Sequence, residues 1–245
     1  MGILATRKID AQAAILQSLS RRPSGDPPDW PNTRGLDKYV EAFGVDIPAL
    51  LQEGGIYLEL GCGEGKALSE AAQLPGVEAY GACLHEQHPL GAPVIYAEFP
   101  KDPIIYETFA GTVKVSPDYY GPATYHDDFL RSFITQAGLL GPGGHAFILT
   151  YPQRIPDDHT RHQVEKVLSD RSGQTARFQE IMTKSDYDGR DLPAVIVHIS
   201  GSGEAINPSK DYSRLTKAAG KPQKTKPVWK NSDGSAIIWG LSYAA

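Results

Sequence analysis

Cysteine is almost missing from this sequence: only Cys62 and Cys83 occur among 245 residues. So few cysteines exclude the disulfide framework of a small secreted domain, and their spacing matches no zinc-binding pattern. We expect two reduced thiols. His85 and His88 lie three residues apart without a cluster of carboxylates beside them, so we predict surface histidines and no metal site.

Long apolar runs are missing too. No stretch approaches the roughly 18 residues that a membrane-spanning helix requires. Near the start, the apolar residues between Ile9 and Leu19 are interrupted by Asp10, Gln12 and Gln17, unlike the continuous core of a secretory signal. We therefore expect a cytoplasmic protein with no membrane partner.

The sequence also lacks an excess of positive charge, since its 24 Lys and Arg are outnumbered by 29 Asp and Glu, for a net charge of -5. This balance argues against a nucleic-acid substrate. A local exception is the stretch 210–230, where seven Lys or Arg accompany one acid, Asp211. Because prolines and a glycine interrupt this stretch, we expect a solvated basic loop over 206–235.

What the sequence does contain suits one large soluble domain. Apolar residues make up 40% of the chain, which is enough for a sizeable core. Apolar residues at helical spacing predict a helix over 8–20 and two short helices over 36–43 and 47–51. We expect residues 1–54 to form a helical cap on the rest of the chain.

From residue 56 onward, strand-like runs alternate with segments long enough for a helix. IYLEL, VEAYGACL and HAFILTY are examples of such apolar runs. The alternation predicts an α/β domain over 55–245 with a doubly wound, mainly parallel sheet and helices on both faces. Two further runs, 178–184 and 193–200, are predicted to form an antiparallel edge, and 235–243 a last strand.

The most specific feature is the run YLELGCGEG at 57–65, which places Gly61, Gly63 and Gly65 between a strand and a helix. Glycines there let the chain turn tightly and let a ligand approach the main chain. A bound small molecule is therefore implied. The spacing differs from the dinucleotide fingerprint, whose third glycine would stand at Lys66, and no P-loop lysine follows.

Glu59, two residues before Gly61, completes a pattern that resembles the S-adenosylmethionine-dependent methyltransferases of the Rossmann-like class. The run LLGPGGHAFIL at 139–149 is similar to the turn before that family's fifth strand, and 115–128 is similar to the segment after its fourth. The resemblance implies a Rossmann-like fold with S-adenosyl-L-methionine as the cofactor. It also implies a set of cofactor-binding residues in and before the glycine loop: Glu59, Gly61, Cys62, Gly63 and Gly65.

One position departs from that family. Its second strand usually ends in an acid that accepts hydrogen bonds from both ribose hydroxyls, and Cys83 stands there in this sequence. A thiol is a weak hydrogen-bonding partner. Either Glu86 reaches back to the ribose or the nucleoside is held differently. Leu84 is a further cofactor-binding candidate, and Glu98, near the end of the third strand, is a candidate for the adenine end.

The loop over 116–128 is expected to face the reactive sulfonium, because ligands of open α/β sheets lie across the carboxyl ends of the strands. Methyl transfer needs an oriented nucleophile and, for a hydroxyl or ammonium acceptor, removal of a proton. Asp118 and His126 are candidates for that base, and Tyr119 for an electron-rich ring near the cation. The alternative is structural: Asp127 caps a helix and the tyrosines pack the loop.

Three functions are compatible with these features. The first is a methyltransferase that uses S-adenosyl-L-methionine to modify a small molecule, whose identity the sequence does not give. The second is an enzyme that uses the same cofactor but transfers or cyclises its methionine-derived chain and releases methylthioadenosine. The third is a cofactor-binding or partner module without turnover.

Overall fold

The computed structural model of the protein describes residues 10–21, 34–83, 93–184, 189–230 and 236–244. Its strands are β1 (Gly55–Leu60), β2 (Val77–Cys83), β3 (Val94–Tyr96), β4 (Val113–Tyr119), β5 (Leu140–Thr150), β6 (Thr175–Lys184), β7 (Asp191–Ser200), β8 (Lys221–Lys230) and β9 (Ala236–Ala244). Its helices are α1 (Ala11–Ser18), α2 (Leu36–Phe43), α3 (Ile47–Leu50), α4 (Lys66–Ala71), α5 (Pro103–Phe109), α6 (Pro122–Tyr125), α7 (Phe129–Leu139), α8 (Asp158–Ser172) and α9 (Pro208–Ala219). Two 3₁₀ turns cover Leu19–Arg21 and Pro152–Arg154. Within these ranges no helix is both long enough and apolar enough to cross a membrane.

Seven of these strands form one sheet in the order β3-β2-β1-β4-β5-β7-β6. β1 to β5 run parallel to one another, whereas β7 runs antiparallel to β5 and β6. This confirms the predicted doubly wound, mainly parallel α/β sheet with an antiparallel edge. The strand order reverses between β1 and β4, and ligands of open α/β sheets bind at such a reversal. The carboxyl ends of β1 and β4 are therefore where a site is expected.

The side chains of β1 alternate between two apolar cores, because successive residues of a strand point to opposite faces. Leu58 and Leu60 pack in one core together with Phe109 of α5. Tyr57 packs in the other core with residues of α2, α3 and α4. Since Glu59 lies two residues after Tyr57, its side chain points to the face that α2 covers.

The helices of the predicted N-terminal cap divide between these two faces. Ala14 of α1 belongs to the core that contains Leu58. Leu36 of α2 and Ile47 of α3 belong to the opposite core. The described part of residues 1–54 therefore contributes to both faces of the sheet, and α2 and α3 are the part that lies on the Glu59 side.

The basic segment that we expected as a loop over 206–235 forms regular structure where it is described. Its first part is α9 and its second part is β8. The side chain of Asn207 accepts a hydrogen bond from the Lys210 N–H at 3.0 Å, and Pro208 follows in the first turn, as at many helix starts. Leu215 is fully buried on one side of this helix. The loop prediction was wrong because it weighed the charges and overlooked the apolar residues between them.

β8 and β9 form a separate antiparallel pair, which we call the C-terminal hairpin. The predicted last strand is thereby confirmed as a strand, but its partner is the basic segment and not the main sheet. Pro222 and Pro227 fit within β8 because a strand paired on one side can hold residues that lack an N–H. The hairpin contacts α6 and the 3₁₀ turn at Pro152–Arg154, next to the carboxyl ends of β4 and β5.

Candidate functional site

The glycine loop between β1 and α4 has a backbone conformation that favours glycine. The φ angles are +74° at Gly61, +54° at Gly63 and +74° at Gly65, all in the left-handed region. The N–H of Gly61 donates to the carbonyl oxygen of Ala82 at 2.8 Å, so the loop starts as a continuation of the β1–β2 pairing. The loop therefore lies at the carboxyl edge of the sheet, as the resemblance implied.

The turn after β4 packs closely against this loop. A side chain at Gly61 would place its Cβ 3.1 Å from both Gly121 Cα and Pro122 Cδ. A side chain at Gly121 would come within 2.6 Å of the Leu60 carbonyl oxygen. Only glycines at these two positions allow the loops after β1 and β4 to meet.

Glu59 lies at the end of β1 and is 2% exposed. The Tyr39 hydroxyl donates to Oε1 at 2.5 Å, and the Tyr57 hydroxyl lies 3.4 Å from Oε2. Burial raises the pKa of Glu59 to about 8, although the two hydroxyls and the positive charge of Arg34 lower it. Glu59 is therefore mainly protonated at pH 7, and a cation placed beside it would favour its ionised form.

The start of α2 is fixed against α4, which holds α2 over the end of β1. The Leu36 N–H donates to Glu70 Oε2 at 2.6 Å, and the Ala67 N–H donates to the Arg34 carbonyl at 3.1 Å. A Cβ at Gly35 would lie 2.7 Å from a Glu70 oxygen, so a side chain there would displace the Glu70 carboxylate. The position of α2 thus follows from contacts made by its first residues.

Aromatic rings of α2 cover Tyr119, the last residue of β4. Tyr39 and Phe43 lie on one side of α2 because they are four residues apart. The ring of Tyr39 stacks on that of Tyr119 with centroids 5.4 Å apart, and Phe43 meets the same ring edge-on at 6.1 Å. Arg34 Cζ lies 4.4 Å from the Tyr119 ring centroid. Tyr119 therefore contacts a cation, as predicted, and in this structure the cation belongs to the chain itself.

Cys83 ends β2, and its thiol hydrogen-bonds with the Cys62 thiol in the glycine loop. Both thiols are reduced and buried. The Cys62 sulfur fits because Gly81 has no side chain, since a Cβ there would lie 2.7 Å from it. The hydrogen bond to Cys83 and burial raise the pKa of Cys62 well above its ordinary value. The end of β2 therefore presents a pair of buried thiols.

Three cofactor-binding candidates remain: Leu84, Glu86 and Glu98. Leu84 and Glu86 lie outside the described residues, as do His85 and His88, so their predicted roles stay predictions. Glu98 follows β3 by two residues, is partly exposed, and forms an ion pair with Lys101. In the described part of the chain, no group of three His, Cys, Asp or Glu side chains could hold a metal ion.

Asp118 shapes the turn after β4. It is fully buried, and its two carboxylate oxygens accept hydrogen bonds from the Gly121 N–H at 2.8 Å and the Ala123 N–H at 2.9 Å. Burial raises its pKa to about 7, and the two hydrogen bonds lower it. Both oxygens accept hydrogen bonds from the turn, so Asp118 holds the turn in place. Its predicted role as a base stays a prediction.

His126 follows α6 and has one ring nitrogen in use. The Asp128 N–H donates to Nδ1 at 3.1 Å, which places the ring proton on Nε2 in the neutral form. Burial lowers the pKa of His126, so the neutral form prevails at pH 7. Nε2 is buried and has no hydrogen-bond partner among the described residues. In this tautomer His126 offers a hydrogen-bond donor at Nε2. Its predicted role as a base stays a prediction.

Two acids, Asp127 and Asp128, follow His126. The structural alternative named Asp127 as a helix cap, but the cap lies one residue further along the chain. Asp128, and not Asp127, caps α7 by accepting a hydrogen bond from the Arg131 N–H at 3.1 Å. Asp127 forms an ion pair with Lys224 of β8 at 2.9 Å. The basic segment therefore contacts this loop.

Arg154 connects the same loop to the C-terminal hairpin. The residue is 1% exposed, and its guanidinium donates to the carbonyl of Trp239 in β9 at 2.5 Å and to the carbonyl of His126. Burial lowers its pKa. Arg154 Nε has no hydrogen-bond partner among the described residues. One buried side chain thus joins the loops after β4 and β5 to a hairpin more than 80 residues further along the chain.

Three residues of the site were not found from the sequence. Tyr120 has φ +49°, the one positive value for a non-glycine residue in the described ranges, and strained residues of this kind often mark functional sites. Its ring lies 4.9 Å from that of Tyr151. Arg34 and Tyr39 were missed because they reach the site from a separate helical segment, and no local pattern in the sequence marks them.

No protein-family model matches the chain, and no curated protein matches it in sequence. Several solved structures match a part of this chain. One concerns the conversion of a disulfide bond into a thioacetal group during echinomycin biosynthesis, with 16% identity, 82% of this chain and 95% of that chain covered, and a TM-score of 0.45. Another is the Burkholderia thailandensis 1,6-didemethyltoxoflavin-N1-methyltransferase, with 14% identity, 73% and 93% covered, and a TM-score of 0.42. A third is an rRNA methylase from Streptococcus thermophilus, with 14% identity, 69% and 96% covered, and a TM-score of 0.40. At these values the likenesses establish neither an activity nor an acceptor for this chain.

Proposed function

We propose that the protein is a methyltransferase that uses S-adenosyl-L-methionine to modify a small molecule. The observation that carries the proposal is Glu59, a buried acid at the end of β1, directly before a loop of three left-handed glycines. This arrangement stands at the reversal of the strand order, where a ligand of an open α/β sheet binds. Composition, with a net charge of -5, supports a small acceptor over a nucleic acid.

The residues around the loop fit the cofactor at one end and depart at the other. Glu59 offers a carboxyl group, which suits a ligand that carries positive charge. At the end of β2, the Cys62–Cys83 pair replaces the acid that would bind a ribose. When bound, the cofactor would supply an activated methyl group on its sulfonium.

The chain's own contribution to the reaction would be positioning. Asp118 holds the turn after β4 against the glycine loop, so that the end of β4 faces the bound ligand. Tyr120 and Tyr151 place two rings side by side at the ends of β4 and β5, a surface that suits a flat organic acceptor. His126 offers an Nε2–H that can orient an oxygen or nitrogen of the acceptor.

Calorimetric titration with S-adenosyl-L-methionine tests the proposal. The wild type should bind it, and a Gly63→Leu variant should lose binding because a large side chain would enter the loop. Gly173→Leu is the matched control, since Gly173 has a similar φ of +68° but lies in open space at the end of α8. Absence of binding by the wild type, or equal binding by the two folded variants, would remove the basis of the proposal.

Mass spectrometry after incubation with a panel of small-molecule acceptors identifies the reaction. S-adenosylhomocysteine together with a methylated product supports the proposed methyl transfer. Methylthioadenosine with a product derived from the methionine chain would show the alternative transfer. Unchanged cofactor with every acceptor, despite tight binding, would favour a binding module.

A further inference from the structure

Basic side chains from four neighbouring strands lie together on the sheet face that contains Phe147. His198 of β7 is the register partner of Phe147 in β5 and of Arg177 in β6, and register partners in antiparallel strands share a face. His145 lies two residues before Phe147 and therefore points to the same face. These side chains form a row across β5, β7 and β6.

Two histidine rings form the centre of this row. His145 Nδ1 lies 3.0 Å from His198 Nε2, so the rings are joined by a hydrogen bond. The His198 ring also stacks on Phe147 with centroids 4.6 Å apart. Both histidines are partly buried. Their contacts hold the two rings in place on the sheet while leaving them accessible from solvent.

A cation lies on each side of the histidine pair. Lys114 of β4 directly precedes the register partner of His145, and its charge acts on His145. Arg177 lies opposite His198, and its charge acts on His198. Neither cation forms an ion pair with another described residue, and no described acid acts on either histidine. We call Lys114, His145, His198 and Arg177 the basic row.

The basic row lacks a negative charge to balance it. Burial and the positive neighbours lower the pKa of both histidines, that of His198 to about 4. An anion beside the rings would favour their protonated forms, in which every ring nitrogen is a donor. A phosphate-type oxyanion suits the two cations, since a guanidinium donates two parallel hydrogen bonds to its oxygens and an ammonium adds a point charge.

We propose that the basic row binds a phosphate-type oxyanion at a second site, separate from the glycine loop. His145 lies five residues before Thr150, the last residue of β5. At about 3.3 Å per residue, this places the histidine pair roughly 16 Å from the carboxyl edge of the sheet. The second site is independent of the proposed function, and its ligand carries negative charge, whereas Glu59 suits a positive one.

Calorimetric titration of the full chain with sodium sulfate tests the site, because sulfate stays a dianion throughout the pH range used. Arg177→Met should weaken sulfate binding about 10-fold, the lower end of the effect of a lost charged hydrogen bond. Lys114→Met should weaken it in the same direction. Lys184→Met is the matched control. Lys184 is an exposed cation on the same strand as Arg177 and pairs with Asp191, so its removal should leave the affinity unchanged.

The pH dependence tests the part played by the histidines. Because a bound anion raises their pKa, binding takes up protons, and the affinity for sulfate should increase as the pH falls from 7.5 to 5.5. In the double variant His145→Gln with His198→Gln, this increase should disappear. Inorganic phosphate and glycerol phosphate, compared at pH 7.5, distinguish a free ion from a phosphate ester as the preferred ligand.

Three results would overturn the second site. The first is a folded wild type that binds neither sulfate nor either phosphate compound. The second is equal weakening by Arg177→Met and Lys184→Met, which would show attraction to surface charge in general and an adventitious ion only. The third is a double variant whose pH profile equals that of the wild type. Affinity for S-adenosyl-L-methionine should be the same in all these variants, so failure of the second site is distinct from failure of the proposed function.

Discussion

At the scale of single residues, Glu59 is one of two carboxylic acids of the site whose pKa is strongly raised, the other being Asp118. Glu59 is almost fully removed from water, and its burial outweighs the effect of two tyrosine hydroxyls and one arginine, so that its pKa is raised to about 8. A buried acid with these neighbours is costly in the absence of a ligand. Residues that lower stability in this way are common where a site is prepared for binding.

The pH dependence of unfolding should reveal this acid. The pKa of Glu59 in the folded protein, about 8, lies above the ordinary value of 4.5. Protonated Glu59 therefore contributes fully to the unfolding free energy below about pH 4.5, and this contribution is lost as the pH rises toward 8. The loss is roughly 1.4 kcal/mol per pH unit. Between pH 5 and pH 7.5, the wild type should therefore lose about 3 kcal/mol more unfolding free energy than Glu59→Gln.

Urea unfolding of both proteins at the two pH values measures this difference. Asp118, whose pKa is also raised, is present in both proteins and cancels in the comparison. Parallel pH dependence of the two proteins would show that Glu59 is not protonated in the folded state.

Asp118 allows a second prediction at this scale. Asp118→Ala leaves two buried N–H groups, those of Gly121 and Ala123, without their acceptors. At about 1 to 3 kcal/mol for each unsatisfied group, the variant should lose about 2 to 6 kcal/mol of unfolding free energy in urea. Asp127→Ala, which removes an exposed ion pair with Lys224, should cost less than about 1 kcal/mol. Equal effects of the two variants would contradict the assigned role of Asp118.

At the scale of elements, the secondary structure of the parallel strands could be predicted from their own sequence, and that of the basic segment could not. The buried parallel strands were predictable because each is an apolar run, as in IYLEL and HAFILTY. α9 and β8 were not, because their regular structure depends on partners elsewhere in the chain. Leu215 needs a core to enter, and β8 needs β9 as its partner.

Docking of the C-terminal hairpin should depend on Arg154. Arg154→Met removes both hydrogen bonds to the carbonyls of Trp239 and His126. Amide hydrogen exchange should then become faster in β8 and β9, while β5 keeps its protection. Lys224→Met is the control, since it removes an exposed pair with Asp127 and a cation–π contact with Trp239 at 5.7 Å. Both are weak at an exposed position, so exchange should stay nearly unchanged. Unaltered exchange in the hairpin of Arg154→Met would show that apolar contacts alone hold it.

At the scale of the whole molecule, the site combines parts that are far apart in sequence. The glycine loop and Glu59 form a local pattern, so the sequence alone predicted them. The contact of Tyr39 with Glu59 joins residues 20 positions apart, and that of Arg154 with Trp239 joins residues 85 apart. Which residues meet at such distances is decided by the packing of helices on the sheet, and periodicity within one segment carries no information about it.

Ligand binding should stabilise the whole fold if the proposed cofactor is correct. A ligand that binds only the folded state adds about 2.7 kcal/mol of unfolding free energy at 100 times its dissociation constant. Thermal unfolding with S-adenosyl-L-methionine should therefore shift upward in the wild type and in Gly173→Leu, and stay unchanged in Gly63→Leu. A shift of equal size in all three proteins would indicate binding away from the glycine loop.

The protonated state of Glu59 has a consequence for the energetics of binding. At pH 7 the empty site holds a proton on Glu59 in most molecules, since its pKa is about 8. A positively charged group of the ligand beside Glu59 would favour loss of that proton, so close to one hydrogen ion would enter the solvent for each ligand bound. The heat measured in a titration should then depend on the buffer and differ between phosphate and Tris in proportion to their ionisation enthalpies. In Glu59→Gln this dependence should disappear.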